Sequence, residues 1–590
     1  MMVRKISRRG HQPLSNNTNT SHKISNAKKT ALPPLLDYHQ VLEFKPDLSA
    51  ADLGFISQME HRHKIRPVQL FVPSSSNPNT LRLNKSALNA VLGHSSIANR
   101  KIVVISVSGA YRKGKSFLLN FFLEYLYILQ YQQKNDLEMD WLQDETQLEG
   151  FHYRPGSKRD TVGIWIWAEP IMIDGANGER IAVLLMDTQG CFEQSGTVSQ
   201  PSSSTRDVAS SNAVVLNNSH HSVLALSTML SSIQLYNVAE SIPDESIQAL
   251  AFFTDYNKLH SMEASAFGKP FQKFVMLVRD FKVSEQLIYG IDGGTKLLDK
   301  ALRQINNTSD VVGGSLAEKA LKEIKKEIRN CFDSGFSCYL LPNPGPKVTD
   351  QASSFKGLAK EIKALFRDEV RRVVEAMIGP NLTKPKVVNG KEITVRKFVE
   401  CVREYAKIFE APELPAPRSV LNANLQLSCV DYALEAKIAY CRGMDRVTRS
   451  SRMMAEKKLL EAHIKHGIKA LNIYDKCPKV DSGDVRSTNL ARLQESINHE
   501  LERYKRANEE KRVTTCASAA LACGDSALFG LGLGGAASGA VAASVITLQM
   551  GIVSAGIVAI PVSLGALFGI WAYVTLKPTL KVCLGMERDS

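Results

Sequence analysis

The sequence lacks the cysteine patterns of a metal- or disulfide-stabilised protein. Its 10 cysteines include no CxxC pair and follow no regular spacing, so we expect reduced thiols in a cytosolic domain. It also lacks zinc-finger spacing and any nucleic-acid-binding motif, so nucleic acid is not an expected partner. The segment 1–20 is basic but lacks the apolar stretch of a signal peptide. This predicts that the large N-terminal part stays in the cytosol.

The chain is long and basic. Its 590 residues suggest about two to four structural units. The formal net charge of +14 favours anionic partners such as phosphate ligands, nucleic acid or acidic lipid surfaces. Because no nucleic-acid motif accompanies the charge, we favour the lipid interpretation. Residues 1–40 are polar and rich in Ser, Asn and Thr, which predicts a disordered basic tail.

Residues 65–380 alternate short apolar runs with helical stretches. The run KIVVISV at 101–107 is continuous and rich in β-branched residues, as in a strand buried on both faces. Similar runs follow at 181–186, 274–278 and 338–341. This alternation predicts an α/β domain with a mainly parallel sheet.

A Ser- and Asn-rich segment at 193–222 interrupts this domain. It shows little periodicity, so we expect a long flexible loop.

Residues 381–512 have a helical period and predict a helical bundle that follows the α/β domain. The Pro-rich stretch 411–418 predicts a joint between two helices. Two apolar helix faces are predicted: Phe398, Val399, Val402, Tyr405 and Ala406 form one, and Leu459, Leu460, His463, Ile464 and Ile468 form the other.

Residues 526–576 contain no charged side chain. One membrane helix needs roughly 20 apolar residues, so this run is long enough for two. Basic residues flank both sides, which predicts a transmembrane hairpin with both ends in the cytosol. A short cytosolic tail at 577–590 would follow. A buried helix pair of a soluble domain is the alternative, and a shallow or re-entrant insertion is also compatible with the Gly/Ala-rich first half.

The segment GAYRKGKS at 109–116 fits the phosphate-binding pattern GxxxxGKS. It follows a predicted strand and opens a predicted helix, which is the context that this motif requires. Glycines let backbone N–H groups surround the phosphates, and the helix N-terminus adds positive potential. We expect Lys115 to reach the β- and γ-phosphates and the Ser116 hydroxyl to bind Mg²⁺.

The segment DTQG at 187–190 follows a second predicted buried strand. Asp187 at the strand end could support the Mg²⁺ shell, and Gly190 could sense the γ-phosphate. Thr161 lies between the two motifs, where a switch threonine would complete the Mg²⁺ shell. On spacing alone, Thr161 could also be a loop residue without a ligand role.

The base of the nucleotide is not identified by the common NKxD motif, since Asn257-Lys-Leu-His260 lacks the Asp. Arg279 and Asp280 close another predicted strand. An Asp there could accept hydrogen bonds from guanine N1 and N2, which adenine does not offer. A surface ion pair is the equal alternative.

Several long motifs, in this order, resemble the atlastins, which are dynamin-superfamily GTPases related to the guanylate-binding proteins. They are GAYRKGKSFLLNF, TVGIWIWAEP, LLMDTQGCFE, LSTMLSSIQLYN, LVRDF and YLLPNPGPKV. The close resemblance covers about residues 65–450. It implies a Mg²⁺-dependent enzyme that hydrolyses GTP to GDP. It further implies a multi-pass endoplasmic-reticulum protein that forms homodimers in trans and thereby fuses the membranes.

The resemblance also implies roles for individual residues. Arg112 would stabilise transition-state charge, Arg279 and Asp280 would recognise guanine, and Pro344 and Gly345 would border the base. The implied catalytic residues are Arg112, Lys115 and Thr161. The implied nucleotide-binding residues are Arg112, Lys113, Gly114, Lys115, Ser116, Phe117, Asp187, Gly190, Arg279 and Asp280, and the implied metal ligands are Ser116, Thr161 and Asp187.

Three departures from the family pattern qualify the expectation. The 193–222 insertion lies next to the expected dimer surface, Cys191 stands where Thr is expected, and the 577–590 tail is shorter than the amphipathic tail of the family. The tail makes a tethering or membrane-shaping scaffold without full fusion the alternative function. A soluble guanylate-binding protein is a third hypothesis, which the charge-free run opposes.

Overall fold

A computed structural model of the chain describes 13 segments. They are residues 50–74, 80–109, 114–153, 161–175, 177–190, 221–263, 268–303, 316–349, 354–379, 384–411, 413–450, 452–479 and 483–530. The chain divides into two compact units. The first comprises Met1–Arg442 with Lys465–Asn498, and the second comprises Gly443–Ile464 with His499–Ser590.

The first unit contains a mixed sheet that has nine strands among the described residues. Strands β6, β3, β7, β8 and β9 are parallel neighbours in that order. Strands β4, β1 and β2 extend the sheet beyond β6 in antiparallel fashion, and β5 also pairs with β6. The strands are β1 Val68–Pro73, β2 Leu81–Leu83, β3 Ile102–Gly109, β4 Ile164–Ile166, β5 Ile171–Asp174, β6 Arg180–Thr188, β7 Ile233–Ala239, β8 Lys273–Arg279 and β9 Phe336–Leu340.

The four strands predicted from apolar runs are confirmed as β3, β6, β8 and β9. All eight residues of β3 are buried, as expected for a central strand with both faces covered. The prediction of a mainly parallel sheet is confirmed only for the five strands from β6 to β9 in the sheet order. The antiparallel strands β4 and β5 escaped prediction because they have three and four residues, too few to show a period.

Strand β7 was also missed, because polar residues interrupt its apolar run. Gln234 is fully buried there, and its amide donates to Ser108 Oγ at 2.7 Å. A buried polar side chain is stable when it is hydrogen-bonded in this way.

Helices surround this sheet. The helix α3 is buried almost all round, and it packs against β3, β5 and β6. Its side chains share a core with the helix α10. The helices are α1 Ala50–Lys64, α2 Lys85–Leu92, α3 Lys115–Asn135, α4 at 221–230, α5 Asp244–Gln248, α6 Ala251–Glu263, α7 Gly290–Arg303, α8 Leu316–Glu327, α9 Pro346–Thr349 and α10 Ala364–Ile378.

A buried ion pair fastens α1 to α3. The Arg62 guanidinium donates to the Glu124 carboxylate, and both side chains are at most 5 % exposed. Arg62 also donates to the Glu149 carbonyl at 3.1 Å and lies 5.4 Å from the ring centroid of Tyr127. Each charge of the pair therefore has a partner inside the protein.

Helical structure follows the sheet domain, as predicted. It comprises α11 Val395–Phe409, α12 Pro417–Thr448, α13 Glu456–Tyr474 and α14 Gly483–Gly530, preceded by the hairpin of β10 Val387–Val388 and β11 Lys391–Glu392. The predicted Pro-rich joint is confirmed between α11 and α12. The predicted apolar face of α11 is buried throughout.

The predicted face of α13 is only partly correct. Leu459 and His463 are buried, but Ile468 is 36 % exposed. Ala470 and Tyr474, which the prediction omitted, are buried instead. The prediction counted only large apolar side chains, so it missed a small residue and one that carries a polar hydroxyl.

Several predictions fall outside the described residues: most of the 193–222 insertion, the tail at 1–40, nearly all of the predicted hairpin (531–576) and the tail at 577–590. At the C-terminal border of the insertion, residues 221 and 222 are already helical. Among the helices that the structure describes, none combines the length and the apolar character needed to cross a bilayer. Among the residues that the structure describes, six cysteines are free thiols: Cys331, Cys338, Cys401, Cys429, Cys441 and Cys477.

Candidate active site

The phosphate-binding motif connects the end of β3 with the start of α3. Gly114 has a φ of +70° and caps α3. A Cβ at this position would lie 2.7 Å from Nη1 of Arg279. Only glycine fits both the left-handed backbone and this close approach. Arg112 and Lys113 lie outside the described residues.

The first turn of α3 brings two predicted site residues to the end of β6. Lys115 is buried, and the Ser116 hydroxyl donates to Oδ2 of Asp187 at 2.6 Å. The Phe117 side chain points elsewhere: its ring packs edge-on against Phe121, with centroids 5.1 Å apart. Any contact of Phe117 with a nucleotide would therefore use its backbone N–H.

Thr161 joins the same carboxylate. Its hydroxyl donates to Oδ2 of Asp187 at 3.4 Å, so two hydroxyl oxygens meet at one carboxylate oxygen. Burial raises the pKa of the Asp187 carboxyl, while the Lys115 ammonium and the Ser116 hydroxyl oppose that effect. This oxygen-only donor set suits a hard divalent cation such as Mg²⁺.

The two segments that carry Thr161 and Asp187 are clasped together. The Gln189 backbone N–H donates to the Gly163 carbonyl at 2.8 Å, and the Gly163 N–H donates to Oε1 of Gln189 at 2.9 Å. Gly190 follows in a buried position. The sequence contains no signal of this clasp except that both residues stand within short motifs.

Arg279 and Asp280 lie at the end of β8. The Arg279 side chain is 9 % exposed, and its Nη2 lies 3.4 Å from Oδ2 of Asp280. The Arg279 side chain is thus largely buried, and the Asp280 side chain is 23 % exposed. Asn343 donates to Oδ1 of Asp280 at 2.9 Å and accepts from the Gly345 N–H at 2.8 Å. The segment Pro344–Gly345 is thus next to Asp280, and Asn343 is a neighbour that sequence analysis missed.

The NKLH segment at 257–260 takes no part in this arrangement. It lies inside α6, and His260 is buried there. The segment is therefore part of a helix and is not a loop at the end of a strand.

The site lies at the carboxyl ends of β3, β6 and β8, where parallel α/β sheets bind ligands. A GKS motif opens a helix, an aspartate ends the neighbouring strand, and a second aspartate lies at the end of β8. The fold and the site define a P-loop nucleoside-triphosphatase of the GTPase class.

Comparisons with known proteins identify the family. The guanylate-binding protein N-terminal domain family matches residues 78–386. Atlastin-1 of Macaca fascicularis is 34 % identical over 452 residues, which are 76 % of this chain and 74 % of that protein. Atlastin-3 of Homo sapiens is 33 % identical over 467 residues, 79 % of each chain. Atlastin-2 of Homo sapiens is 36 % identical over 397 residues, 67 % of this chain and 61 % of that protein.

The chain belongs to the atlastin family. The resemblance seen in the sequence is thereby confirmed, together with its implication that the protein is a dynamin-superfamily GTPase. It binds guanine nucleotides and hydrolyses GTP. GTPase domains of this kind generally use Mg²⁺.

Proposed function

We propose that this protein is a membrane-anchored GTPase that tethers and fuses endoplasmic-reticulum membranes through GTP-dependent homodimerisation in trans. The observation that carries the nucleotide part is the convergence of Ser116 and Thr161 on Asp187, beside the buried Lys115. Membership of the atlastin family supports the membrane part, as does the charge-free run 526–576.

Ser116, Thr161 and Asp187 would hold the Mg²⁺ ion, because their oxygens already gather at one point. When bound, the ion would neutralise phosphate charge. Lys115 binds the β- and γ-phosphates in this proposal. Backbone N–H groups of the first turn of α3, including those of Lys115, Ser116 and Phe117, would add donors at the helix N-terminus.

Catalysis in the proposal depends on placing charge and on sensing the γ-phosphate. Arg112, within the phosphate-binding loop, would stabilise the negative charge that develops in the transition state. Thr161 and Gly190 would respond to the γ-phosphate. The clasp between Gly163 and Gln189 supports a linked response, since it joins the segments on which both residues lie.

Guanine recognition would be the task of Asp280, with Arg279 beside it. The carboxylate can accept hydrogen bonds from N1–H and N2–H of guanine. Pro344 and Gly345 would border the base, which agrees with the contact between Asn343 and Asp280.

The membrane part of the proposal assigns residues 526–576 to a hairpin in the lipid bilayer, with both chain ends in the cytosol. Two copies on opposed membranes would dimerise when GTP is bound. The helical residues that follow the sheet domain would then draw the membranes together.

The test is lipid mixing between vesicles that carry the purified full-length protein. Fluorescence dequenching would be followed with GTP, GDP and no nucleotide, and light scattering would report docking separately. The proposal expects docking and mixing with GTP only, and no response from Lys115→Ala. Docking without mixing would replace fusion by a tethering scaffold. Release of the protein from membranes by alkaline carbonate would overturn the anchor.

A further inference from the structure

Asn343 is held against Asp280 by the sheet itself. The two residues are 63 positions apart, but they follow the neighbouring parallel strands β8 and β9, in which Val278 pairs with Leu340. Backbone hydrogen bonds continue past the strand ends: Leu341 N donates to Val278 O at 2.8 Å, and Phe281 N donates to Leu341 O at 3.1 Å. The backbone hydrogen bonds of the sheet therefore fix the positions of the two segments that carry Asn343 and Asp280.

The orientation of the Asn343 amide follows from its neighbours. The Gly345 backbone N–H can only donate, so the group that it meets at 2.8 Å is the amide oxygen. The amide NH₂ then faces the carboxylate of Asp280, which accepts at 2.9 Å. The Pro344 carbonyl is held in turn by the Lys363 N–H at 2.9 Å. Asn343 is thus fixed on one side and donates on the other.

Both carboxylate oxygens of Asp280 have a neighbour in the protein. Asn343 engages Oδ1, and Arg279 Nη2 lies 3.4 Å from Oδ2. A carboxylate offers about four acceptor positions, so about two are left. Guanine presents two donors on one edge, N1–H and the 2-amino group, and adenine does not present this pair.

We infer that Asn343 is a positioning residue for base specificity, which holds the Asp280 carboxylate so that it accepts from both guanine donors at once. The inference rests on the proposed guanine-binding role of Asp280. The backbone of Asp280 has a φ of +57°, in the left-handed region that Asp and Asn adopt more often than most other side chains.

Binding of GDP and of inosine diphosphate tests the inference, because inosine lacks the 2-amino group. Dissociation constants would be measured for the full-length protein, Asn343→Ala and Asn343→Asp. Loss of a hydrogen bond to a charged group should weaken GDP binding about tenfold in Asn343→Ala. The affinity of Asn343→Ala for inosine diphosphate should fall much less. The preference for GDP over inosine diphosphate should therefore fall several-fold. Asn343→Asp should weaken GDP binding further, since it places two carboxylates in contact.

The matched control is Asn330→Ala, which removes an exposed contact at 3.3 Å between an asparagine and Glu327 in the same unit. It should leave both dissociation constants unchanged. If Asn343→Ala does not fold, as judged by thermal melting, Asn343→Gln carries the same comparison, because its amide is displaced by one methylene.

Equal weakening of GDP and inosine diphosphate would overturn the inference and leave Asn343 a merely structural loop residue. A separate outcome concerns Asp280 itself. If Asp280→Asn retains the full preference for GDP over ADP, the guanine role of Asp280 fails, and the inference fails with it. If Asp280→Asn loses the preference for GDP over ADP but Asn343→Ala keeps the wild-type preference for GDP over inosine diphosphate, only the role of Asn343 is refuted.

Discussion

Ser116 and Asp187 are 71 residues apart in the chain, yet the Ser116 hydroxyl donates to Oδ2 of Asp187 at 2.6 Å. The bond joins the first turn of α3 to the end of β6. It places the half-buried Ser116 hydroxyl against the buried carboxylate of Asp187, near the buried Lys115. A site arranged in this way needs little rearrangement to receive a phosphate-bound cation.

Lys115→Ala should abolish tight binding of guanine nucleotides. The ammonium is the one charged side chain in the first turn of α3, and loss of a charge-assisted contact to phosphate should weaken binding by about 10- to 100-fold or more. Fluorescent GDP titration measures this effect. Lys134→Ala, an exposed lysine in the last turn of the same helix, is the control. Unchanged affinity in Lys115→Ala would contradict the phosphate-binding role.

Ser116→Ala should raise the Mg²⁺ concentration required for half-maximal GTP hydrolysis by about tenfold, because one hydroxyl ligand is lost. Phosphate release over a Mg²⁺ titration checks the prediction. The Ser246→Ala variant, altered at a half-buried serine of α5, should behave like the wild type. If Ser116→Ala keeps its Mg²⁺ dependence, the hydroxyl serves only to hold Asp187.

Arg62→Met should lower the free energy of unfolding by about 3–5 kcal/mol, because Glu124 would remain buried without its partner. Urea denaturation followed by fluorescence measures the change. The double variant Arg62→Met/Glu124→Met should be more stable than the single one, since no buried charge is left. Arg66→Met alters an exposed arginine nearby and should change the free energy of unfolding only slightly. A loss below about 1 kcal/mol in Arg62→Met would contradict the assignment of a buried pair.

His463 should make the protein less stable in acid. Burial lowers the pKa of His463 from its ordinary 6.5 to about 4, and the Lys505 charge adds to this effect. Between these two values the unfolded chain binds a proton that the folded chain does not, so the unfolding free energy falls as pH falls from about 6.5 to 4. The full loss from this one group is at most about 3 kcal/mol.

Urea denaturation at a series of pH values should therefore show a smaller acid loss in His463→Gln than in the wild type. His499→Gln, at an exposed position of α14, is the control and should follow the wild type. Parallel curves for the wild type and His463→Gln would show that another group accounts for the acid dependence.

Some of the fold follows directly from local sequence. Continuous apolar runs such as 101–107 predicted four of the five parallel strands, since a strand covered on both faces needs apolar residues at every position. The GKS motif predicted the strand–loop–helix connection, because glycines and a helix start are a local requirement. Helical periodicity predicted the buried face of α11, because apolar residues that recur every three or four positions lie on one side of a helix.

The sequence by itself therefore determined the type of domain, the phosphate-binding motif and the family. Only the tertiary structure decided which side chains meet: Asn343 with Asp280, Gln189 with Gly163, and Arg62 with Glu124. Each of these contacts joins residues that are at least 26 positions apart. Such pairs leave no periodic trace in the sequence, because strand order and register bring them together and no local preference of the chain encodes either.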